Sequence, residues 1–292
     1  MYRIVWGVTL LVGLKLFAAG AWYKEPQQIS KGPKDTFFPS FVILKIGVFS
    51  NSGDLALAPT ISESKISSHC DTAISSIAWV THRLSENETL KPEAGKNLGN
   101  RLKKLLSQTC FTAVELDIEP LKEATPWLAT FLKGVRETLP EKIKLRLAVP
   151  VLSPRSLEGN FWTLRDGVQA MAWVDGLDVM AYDSGAKDSS EFSEIFKNTF
   201  FFVMELIKQT PGKDIIVGLP AYQDKTKLHK LDAENLTTVL QTLKPFTPFQ
   251  IKPLCNGEIK LAYYAGWTLT KKDQETHKKI EEWTHDTCKK TS

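Results

Sequence analysis

Apolar runs of strand length alternate with segments of helical periodicity along most of the chain. Strands are predicted where apolar or alternating residues stand together, and helices where apolar residues recur every three or four positions. Seven strands are predicted, at 41–49, 73–80, 112–119, 144–150, 176–183, 214–220 and 258–267. Helices are predicted at 94–108, 125–139, 164–172, 191–208, 232–243 and 271–288.

This alternation predicts an α/β fold. Strands joined through helices lie parallel in one sheet, and about eight such units close into a (β/α)8 TIM-type barrel. The eighth strand is weak, because Leu55-Ala56-Leu57-Ala58 is the only candidate between Asn51 and Ser68. We therefore expect the first third of the barrel to be shortened or irregular. An open doubly wound sheet is the alternative, but no strand is followed by a glycine-rich phosphate loop.

The N-terminus has the pattern of an export signal. Arg3 precedes an apolar stretch, Ile4 to Ala21, that only Lys15 interrupts, and Ala19-Gly20-Ala21 offers small residues of the kind that a signal peptidase reads. An uncleaved membrane anchor is the alternative, which a charge near mid-span disfavours. The predicted division is a signal peptide or anchor at 1–21, a polar, proline-containing linker or extended lead-in at 22–40, and a single barrel domain at 41–292.

Composition narrows the function classes. The 292 residues carry a formal net charge of +4 without long basic runs, so nothing indicates nucleic-acid binding. Membrane contact is expected only if the N-terminal segment stays uncleaved, and we expect a monomer. No CxxC or His/Cys cluster indicates a metal, and no cofactor is expected.

Export to the cell envelope or the medium would make the four cysteines pair. Cys70, Cys110 and Cys255 each precede a predicted strand, and Cys288 ends the helix that returns to the same end of the barrel. Of the three possible pairings, these positions favour Cys70 with Cys110 and Cys255 with Cys288.

The candidate chemistry centres on one predicted strand. Glu115, Asp117 and Glu119 alternate with apolar residues and share one face. Carboxylates in such proximity raise the cost of ionisation, which suits an acid catalyst lining the interior or mouth of a barrel. A solvated edge strand with a charged outer face is the alternative. Five residues fall at the carboxyl ends of predicted strands, where barrel enzymes carry their chemistry: Glu119, Tyr182, Asp183, Tyr222 and Trp267.

Four stretches together resemble glycoside hydrolase family 18, the chitinase-like barrel enzymes. They match signatures of the family's fourth, sixth, seventh and eighth strands, in that order: Glu115-Leu-Asp117-Ile-Glu119, Met180-Ala-Tyr182-Asp183, Gly218-Leu-Pro-Ala-Tyr222, and Trp267. The resemblance covers roughly residues 95 to 270. It departs from the family pattern where Thr112 and Glu115 replace aspartates and Ala113 replaces glycine, and no Ser-x-Gly-Gly third strand is visible.

The resemblance implies a retaining glycoside hydrolase that cleaves β-1,4 bonds next to N-acetylglucosamine in a chitin, peptidoglycan or N-glycan type of substrate. Glu119 would be the general acid, Asp117 would orient the N-acetyl group and stabilise the oxazolinium ion, and Tyr182 would donate to the acetamido oxygen. The residues expected to bind substrate are Glu115, Met180, Asp183, Tyr222 and Trp267.

Two other functions stay open. The altered Thr112 and Glu115 are compatible with a non-catalytic, lectin-like barrel of the same family that binds N-acetylated glycans. A lysozyme-like barrel of another glycosidase family also uses an Asp-x-Glu strand, although the sixth- and seventh-strand stretches argue against it. The histidines are interpreted as bystanders in loops or on a polar helix: His69, His82, His229, His277 and His285.

Overall fold

The computed structural model describes residues 19–24, 40–59, 61–62, 75–121, 124–151, 162–223, 229–264 and 266–290. Its strands are β1 (Ala19–Tyr23), β2 (Phe41–Phe49), β3 (Leu55–Leu57), β4 (Ser75–Arg83), β5 (Phe111–Glu119), β6 (Lys144–Val149), β7 (Gly176–Met180), β8 (Asp214–Pro220) and β9 (Ile259–Tyr264). Its helices are α1 (Pro92–Leu106), α2 (Pro126–Thr138), α3 (Leu164–Met171), α4 (Ser189–Gln209), α5 (Leu236–Leu243), α6 (Lys252–Cys255) and α7 (Lys271–Lys289), with a 3₁₀ turn at Gly266–Thr268.

Eight of these strands are parallel and close into a barrel. The sheet runs in the order β1-β9-β8-β7-β6-β5-β4-β2, and β1 pairs with β2 as well as with β9, which closes the ring. The predicted (β/α)8 TIM-type barrel is therefore confirmed. None of the described helices has the length and apolarity needed to cross a membrane.

The eighth barrel strand is not where the sequence predicted it. Leu55–Leu57 pairs antiparallel with the end of β2 and extends the sheet outside the ring. The missing strand is β1, in which Trp22 and Tyr23 are buried. The predicted lead-in at 22–40 is therefore wrong for these two residues, and the barrel is not confined to 41–292. A short apolar run suits a buried parallel strand as well as an export signal, so composition could not separate the two.

The strands divide their side chains between two cores. On β2, Val42, Leu44 and Ile46 pack outward against the helices. Phe41 and Ile43 point inward, into a smaller cluster that fills the lumen. Seven further residues of this inner cluster come from β1, β4, β5, β8 and β9: Trp22, Ile77, Trp79, Ala113, Ile216, Ala262 and Tyr264. Inward positions beyond this cluster, towards the carboxyl ends of the strands, are free to carry chemistry.

One of the predicted disulfides is confirmed. Cys255 and Cys288 are bonded and tie α6 to α7. Cys110 is also disulfide-bonded. Its predicted partner, Cys70, lies outside the described residues, so that pairing stays a prediction. Residues 1–18, the main part of the predicted signal or anchor, also lie outside them.

Candidate active site

The three carboxylates of β5 line the lumen at successive depths. Glu115 lies in the middle of the strand, Asp117 nearer its carboxyl end, and Glu119 at its last residue. The opposite face packs in the outer core and consists of Val114, Leu116 and Ile118. The alternation read from the sequence thus places the acidic face inside the barrel, where carboxylates lose water.

Glu115 is a buried acid beside a second buried carboxyl group. Its Oε1 accepts a hydrogen bond from Trp22 Nε1 at 3.1 Å. Burial raises the pKa of Glu115 well above its usual range, and the charge of Asp178 and a hydrogen bond to it raise this pKa further. The Oε2 atom has no partner among the described residues if Glu115 is ionised. A buried carboxyl group beside a second carboxyl group favours its protonated form.

Asp117 is held by one oxygen and open at the other. Trp79 Nε1 donates to Asp117 Oδ2 at 3.0 Å, whereas Oδ1 is buried without a hydrogen-bond partner within the described residues. Burial raises the pKa of Asp117 to about 6, against the opposing effects of the Trp79 hydrogen bond and the charges of Lys45 and Arg83. A buried acceptor without a donor is costly, so this oxygen is suited to accept a donor from a ligand.

Glu119 lies at the mouth of the barrel rather than in its depth. Its side chain is 38% exposed, and Arg83 Nη1 donates to its Oε2 at 2.9 Å. Arg83 is the last residue of β4 and pairs with Glu119 across the parallel ladder. Glu119 can therefore meet a ligand that enters the mouth, although the charge-assisted bond from Arg83 stabilises its ionised form.

An aromatic wall faces these acids. Tyr182, which follows β7, stacks on Tyr264 with ring centroids 4.3 Å apart, and the edge of Trp22 meets both rings at 6.4 Å. A Cβ at Gly218 would lie 2.6 Å from the Tyr182 ring, so only glycine leaves room for it. Burial raises the pKa of Tyr182 well above its usual range, and the negative charge of Asp117 raises it further. Tyr182 therefore stays a hydroxyl donor near Asp117.

Asp183 belongs to a second polar cluster beside this wall. Its Oδ1 lies 2.5 Å from His229 Nδ1, and the His229 ring stacks on Tyr222 at 3.6 Å. The Tyr222 hydroxyl donates to Glu234 Oε2 at 2.7 Å, and Ser184 Oγ donates to Glu234 Oε1 at the same distance. Asp183 has a φ of 53°, an uncommon conformation for a residue with a side chain that clusters at functional sites.

Three of the histidines interpreted as bystanders make specific contacts in the structure. His229 contacts Asp183 and Tyr222 in the site. His82 is buried on β4, with Nδ1 2.7 Å from the Phe49 carbonyl oxygen, and His277 is buried on α7 and bonds the Tyr263 hydroxyl. His285 is exposed on α7, and His69 lies outside the described residues. A histidine alone in a polar stretch carries no sequence signal for such contacts.

A buried ionic network closes the base of the lumen. Arg146 on β6 bonds Asp178 at 2.6 Å and Asp214 at 2.5 Å, and Lys260 on β9 bonds Asp214 at 2.6 Å. The two cations and the charged Asp178 and Asp214 are mutually satisfied, which is the condition under which buried charges persist. The sequence analysis did not predict this network. The sequence did contain a signal for it, because Arg146 and Asp178 are charged residues within otherwise apolar strands.

Two expected binding residues are less well defined by the geometry. Met180 is the last residue of β7 and is partly buried. Trp267 belongs to the 3₁₀ turn after β9, and its side chain lies outside the described part of the structure. Thr112 bonds Ser75 and Ser76 at the opposite end of β5, away from the carboxylates at the mouth. Within the described ranges, no group of three or more metal-binding side chains is arranged to hold an ion.

The order of the barrel strands agrees with the four matched stretches. Counting β1 as the first barrel strand and leaving out the antiparallel β3, β5 is the fourth, β7 the sixth, β8 the seventh and β9 the eighth. The acidic strand, the Met-Ala-Tyr-Asp stretch and the Gly-Leu-Pro-Ala-Tyr stretch therefore stand at the positions that the chitinase-like barrel enzymes give them. The chain has the fold of a chitinase-like (β/α)8 barrel with carboxylates at its mouth.

Several solved structures of similar fold are named as chitinases or as a spore cortex-lytic enzyme. The chitinase from Chromobacterium violaceum ATCC 12472 matches with a TM-score of 0.60 at 14% identity, over 90% of this chain and 98% of that chain. The Bacillus cereus spore cortex-lytic enzyme SleL matches at 0.59 and 11%, over 92% and 74%. A GH18 chitinase from Pseudoalteromonas aurantia matches at 0.56 and 15%, over 91% and 99%. At these identities the likeness establishes the fold.

Sequence comparison adds nothing to this likeness. No family model and no curated protein sequence matches the chain.

Proposed function

We propose that the chain is a retaining glycoside hydrolase that cleaves β-1,4 bonds next to N-acetylglucosamine by substrate-assisted catalysis. The observation that carries the proposal is Asp117, a buried carboxylate with one oxygen that has no partner among the described residues, in the same lumen as Tyr182, whose raised pKa keeps its proton. Together the two side chains offer an acceptor and a donor. An acetamido group, with one N–H and one carbonyl oxygen, presents the complementary pair.

The proposed reaction uses the substrate as its own nucleophile. Glu119 protonates the glycosidic oxygen while the acetamido oxygen attacks the anomeric carbon, so the leaving sugar departs and an oxazolinium ion forms. Asp117 Oδ1 accepts the acetamido N–H and offsets the developing positive charge, and the Tyr182 hydroxyl donates to the acetamido oxygen. Water then opens the ring with Glu119 as general base, which restores the acid and retains the anomeric configuration.

The residues around this pair hold it in place. Trp79 fixes Asp117 Oδ2, which leaves Oδ1 facing the ligand. Glu115, kept protonated by burial and by Asp178, lies beneath Asp117 without adding a second negative charge. This arrangement supports the view that the longer carboxylate at position 115 can serve where the resembled family has aspartate.

The test is Glu119→Gln in the full chain, because glutamine keeps the shape but donates no proton. Turnover of fluorogenic chitobiose and chitotriose glycosides and of peptidoglycan should fall by a factor on the order of a hundred or more while oligomer binding is retained. The matched control is Glu205→Gln on the exposed face of α4, which should behave as the parent. Unchanged turnover in Glu119→Gln would refute the assignment. Equal hydrolysis of deacetylated oligomers would indicate a two-carboxylate mechanism instead.

A second candidate function has one observation in its favour. The Arg83–Glu119 ion pair stabilises a carboxylate where catalysis needs an acid, which suits a lectin-like barrel that binds N-acetylated glycans without cleaving them. Glycan-array binding with turnover at background, and with binding intact in Glu119→Gln, would favour this function over hydrolysis.

We also propose that the protein acts outside the cytoplasm, in the cell envelope or the medium. The Cys255–Cys288 disulfide supports this location, because such bonds persist in oxidising compartments. Fractionation of cells that express the full chain, followed by N-terminal sequencing, tests this location and the fate of the N-terminal segment together.

A further inference from the structure

Three cations lie close together on one side of the barrel mouth. Lys24 directly follows β1, Lys45 is on β2, and Arg83 ends β4. Lys24 and Arg83 are near enough that each disfavours the charged form of Lys45. These residues, called the basic rim here, belong to strands that are neighbours in the ring. Neighbouring like charges disfavour one another, and Arg83 already has a counter-charge in Glu119, so Lys45 is the member of the basic rim to consider for an anionic ligand.

Lys45 is the innermost cation of the basic rim. It follows the inward positions Phe41 and Ile43 on β2, and its ammonium lies 5.2 Å from the centre of the Trp79 ring. Its side chain is partly buried. Arg83, Arg146 and Lys260 each have a carboxylate within ion-pair distance, but Lys45 has none among the described residues.

The two acids nearest to Lys45 are already engaged. Asp117 and Glu119 both favour its charged form. Asp117 Oδ2 is bonded to Trp79, however, and Glu119 is bonded to Arg83. A partly buried ammonium without an ion pair is destabilising, and a cation beside Asp117 also opposes the positive charge that forms during oxazolinium formation. A neutral glycan would leave the Lys45 ammonium unpaired and its repulsion of the oxazolinium charge unscreened. A carboxylate on the ligand would pair with the ammonium and reduce this repulsion.

We infer that the substrate is an N-acetylated glycan that carries carboxylate groups, and that Lys45, with Lys24 and Arg83 around it, binds one of these carboxylates. The inference deepens the proposed function and rests on it. Two kinds of glycan have this chemistry: strands whose amino sugars bear a lactyl ether, as in peptidoglycan, and strands in which uronic acids alternate with N-acetylglucosamine. Plain chitin oligomers lack the charge, and deacetylated ones carry the wrong sign.

The experiment compares charged and neutral forms of one glycan. Lactyl-bearing oligomers are assayed before and after their carboxylates are converted to methylamides, which removes the charge and keeps the N-acetyl groups. The charged form should be preferred roughly ten- to hundredfold in kcat/KM, as for loss of a charge-assisted hydrogen bond. The preference should weaken as salt is added. Uronic acid oligomers and chitin oligomers are assayed in parallel. Of the two anionic substrates, the one with the higher kcat/KM identifies the kind of glycan that the site binds.

Lys45→Met keeps the length of the side chain and removes its charge. The ratio of kcat/KM on charged oligomers to that on amidated oligomers should therefore fall towards one in this variant. Lys103→Met, on the exposed face of α1, is the matched control and should keep the preference of the parent. Equal rates on charged and amidated oligomers in the parent would overturn the inference. So would a Lys45→Met variant that loses the same factor on both forms, since Lys45 would then act only by positioning Asp117.

Binding separates this inference from the proposed function. Affinities of the charged and amidated oligomers are measured by calorimetry on the parent and on Lys45→Met. Hydrolysis without a charge preference would refute the basic rim and leave the glycosidase in place. Charge-dependent binding that needs Lys45, but without hydrolysis of any oligomer, would refute the glycosidase and support the carboxylate site. Neither binding nor hydrolysis would refute both.

Discussion

Asp117 destabilises the folded protein and is also suited to bind a ligand. It is buried, one of its oxygens has no partner among the described residues, and its pKa is raised to about 6. Proteins keep such groups where the unsatisfied atom meets a ligand. The stability that the fold loses at Asp117 is therefore a measurable sign of its function.

The first prediction concerns Asp117→Asn. Between the ordinary pKa of 3.8 and about 6, the folded protein holds a proton that the unfolded chain has released. Wild-type stability therefore falls as the pH rises through this window, by about 3 kcal/mol for this group. The variant cannot titrate at this position, so it should gain about that much relative to wild type between pH 4 and 7. Urea unfolding at pH 4, 5, 6 and 7 measures the difference.

The control for this prediction is Asp286→Asn, on the exposed part of α7. Its stability should follow wild type across the same pH range. Parallel pH profiles for Asp117→Asn and wild type would mean that Asp117 is not the group that burial destabilises. The charge of Asp117 is also one of the causes that raise the pKa of Glu115, so its removal changes the contrast in the same direction.

Single residues also show how far the sequence could predict the site. Alternation alone placed Glu115, Asp117 and Glu119 on one face, because side chains on a strand must alternate. His229 and Glu234 could not be found in this way, since they reach Asp183 and Tyr222 through loop geometry after β8. The role of Trp22 could not be predicted for another reason. Its strand has the apolar composition of an export signal, so the sequence predicts a targeting segment and a lead-in at this place.

Among the elements, β1 differs most from its prediction. Its run of small and aromatic residues is apolar on both sides, as expected for a strand buried between a lumen and a shell of helices. The structure pairs Ala19, Gly20 and Ala21 with Leu261, Ala262 and Tyr263 of β9. Cleavage after Ala21 would therefore remove most of the strand that closes the ring, so we expect any processing to take place before Ala19.

The prediction for β1 compares two shortened chains. A chain that starts at Trp22 should lose several kcal/mol of stability relative to one that starts at Ala19, because β9 and β2 lose backbone partners worth about 1 kcal/mol each. Urea unfolding of the two chains gives the difference. Equal stability would show that the ring closes without Ala19–Ala21, and cleavage after Ala21 would then be compatible with the fold.

In the whole molecule, the candidate site and the Cys255–Cys288 disulfide lie at opposite ends of the barrel. Glu119 lies at the carboxyl end of β5, whereas Cys255 precedes β9 at the amino end of the parallel strands. The sequence predicts the Cys255–Cys288 pairing from the positions of the two cysteines relative to the strands, and the structure confirms it. Such a prediction is possible because strand direction in a barrel is fixed once the strands are parallel. The bond should therefore support the fold without touching the site.

The double variant Cys255→Ser/Cys288→Ser should lose about 3–4 kcal/mol of stability, since the bond closes a loop with a sequence separation of 33 residues. Its kcat/KM on an N-acetylated oligomer should match that of the parent under conditions where both are folded. Urea midpoints and initial rates, measured on the same preparations, check both statements. A loss of activity in a fully folded variant would contradict the separation of bracing from chemistry.

The pairing of β1 with β9 also sets when the ring can close during synthesis of the chain. Ala19 leaves the ribosome early, but its partner Leu261 is added near the end of the chain, so the ring stays open until almost everything has been made. β1 can pair earlier with β2, but the lumen is not enclosed on its β9 side until that moment. A chain still being translated, or one held back during translocation, therefore has no closed ring around the candidate site.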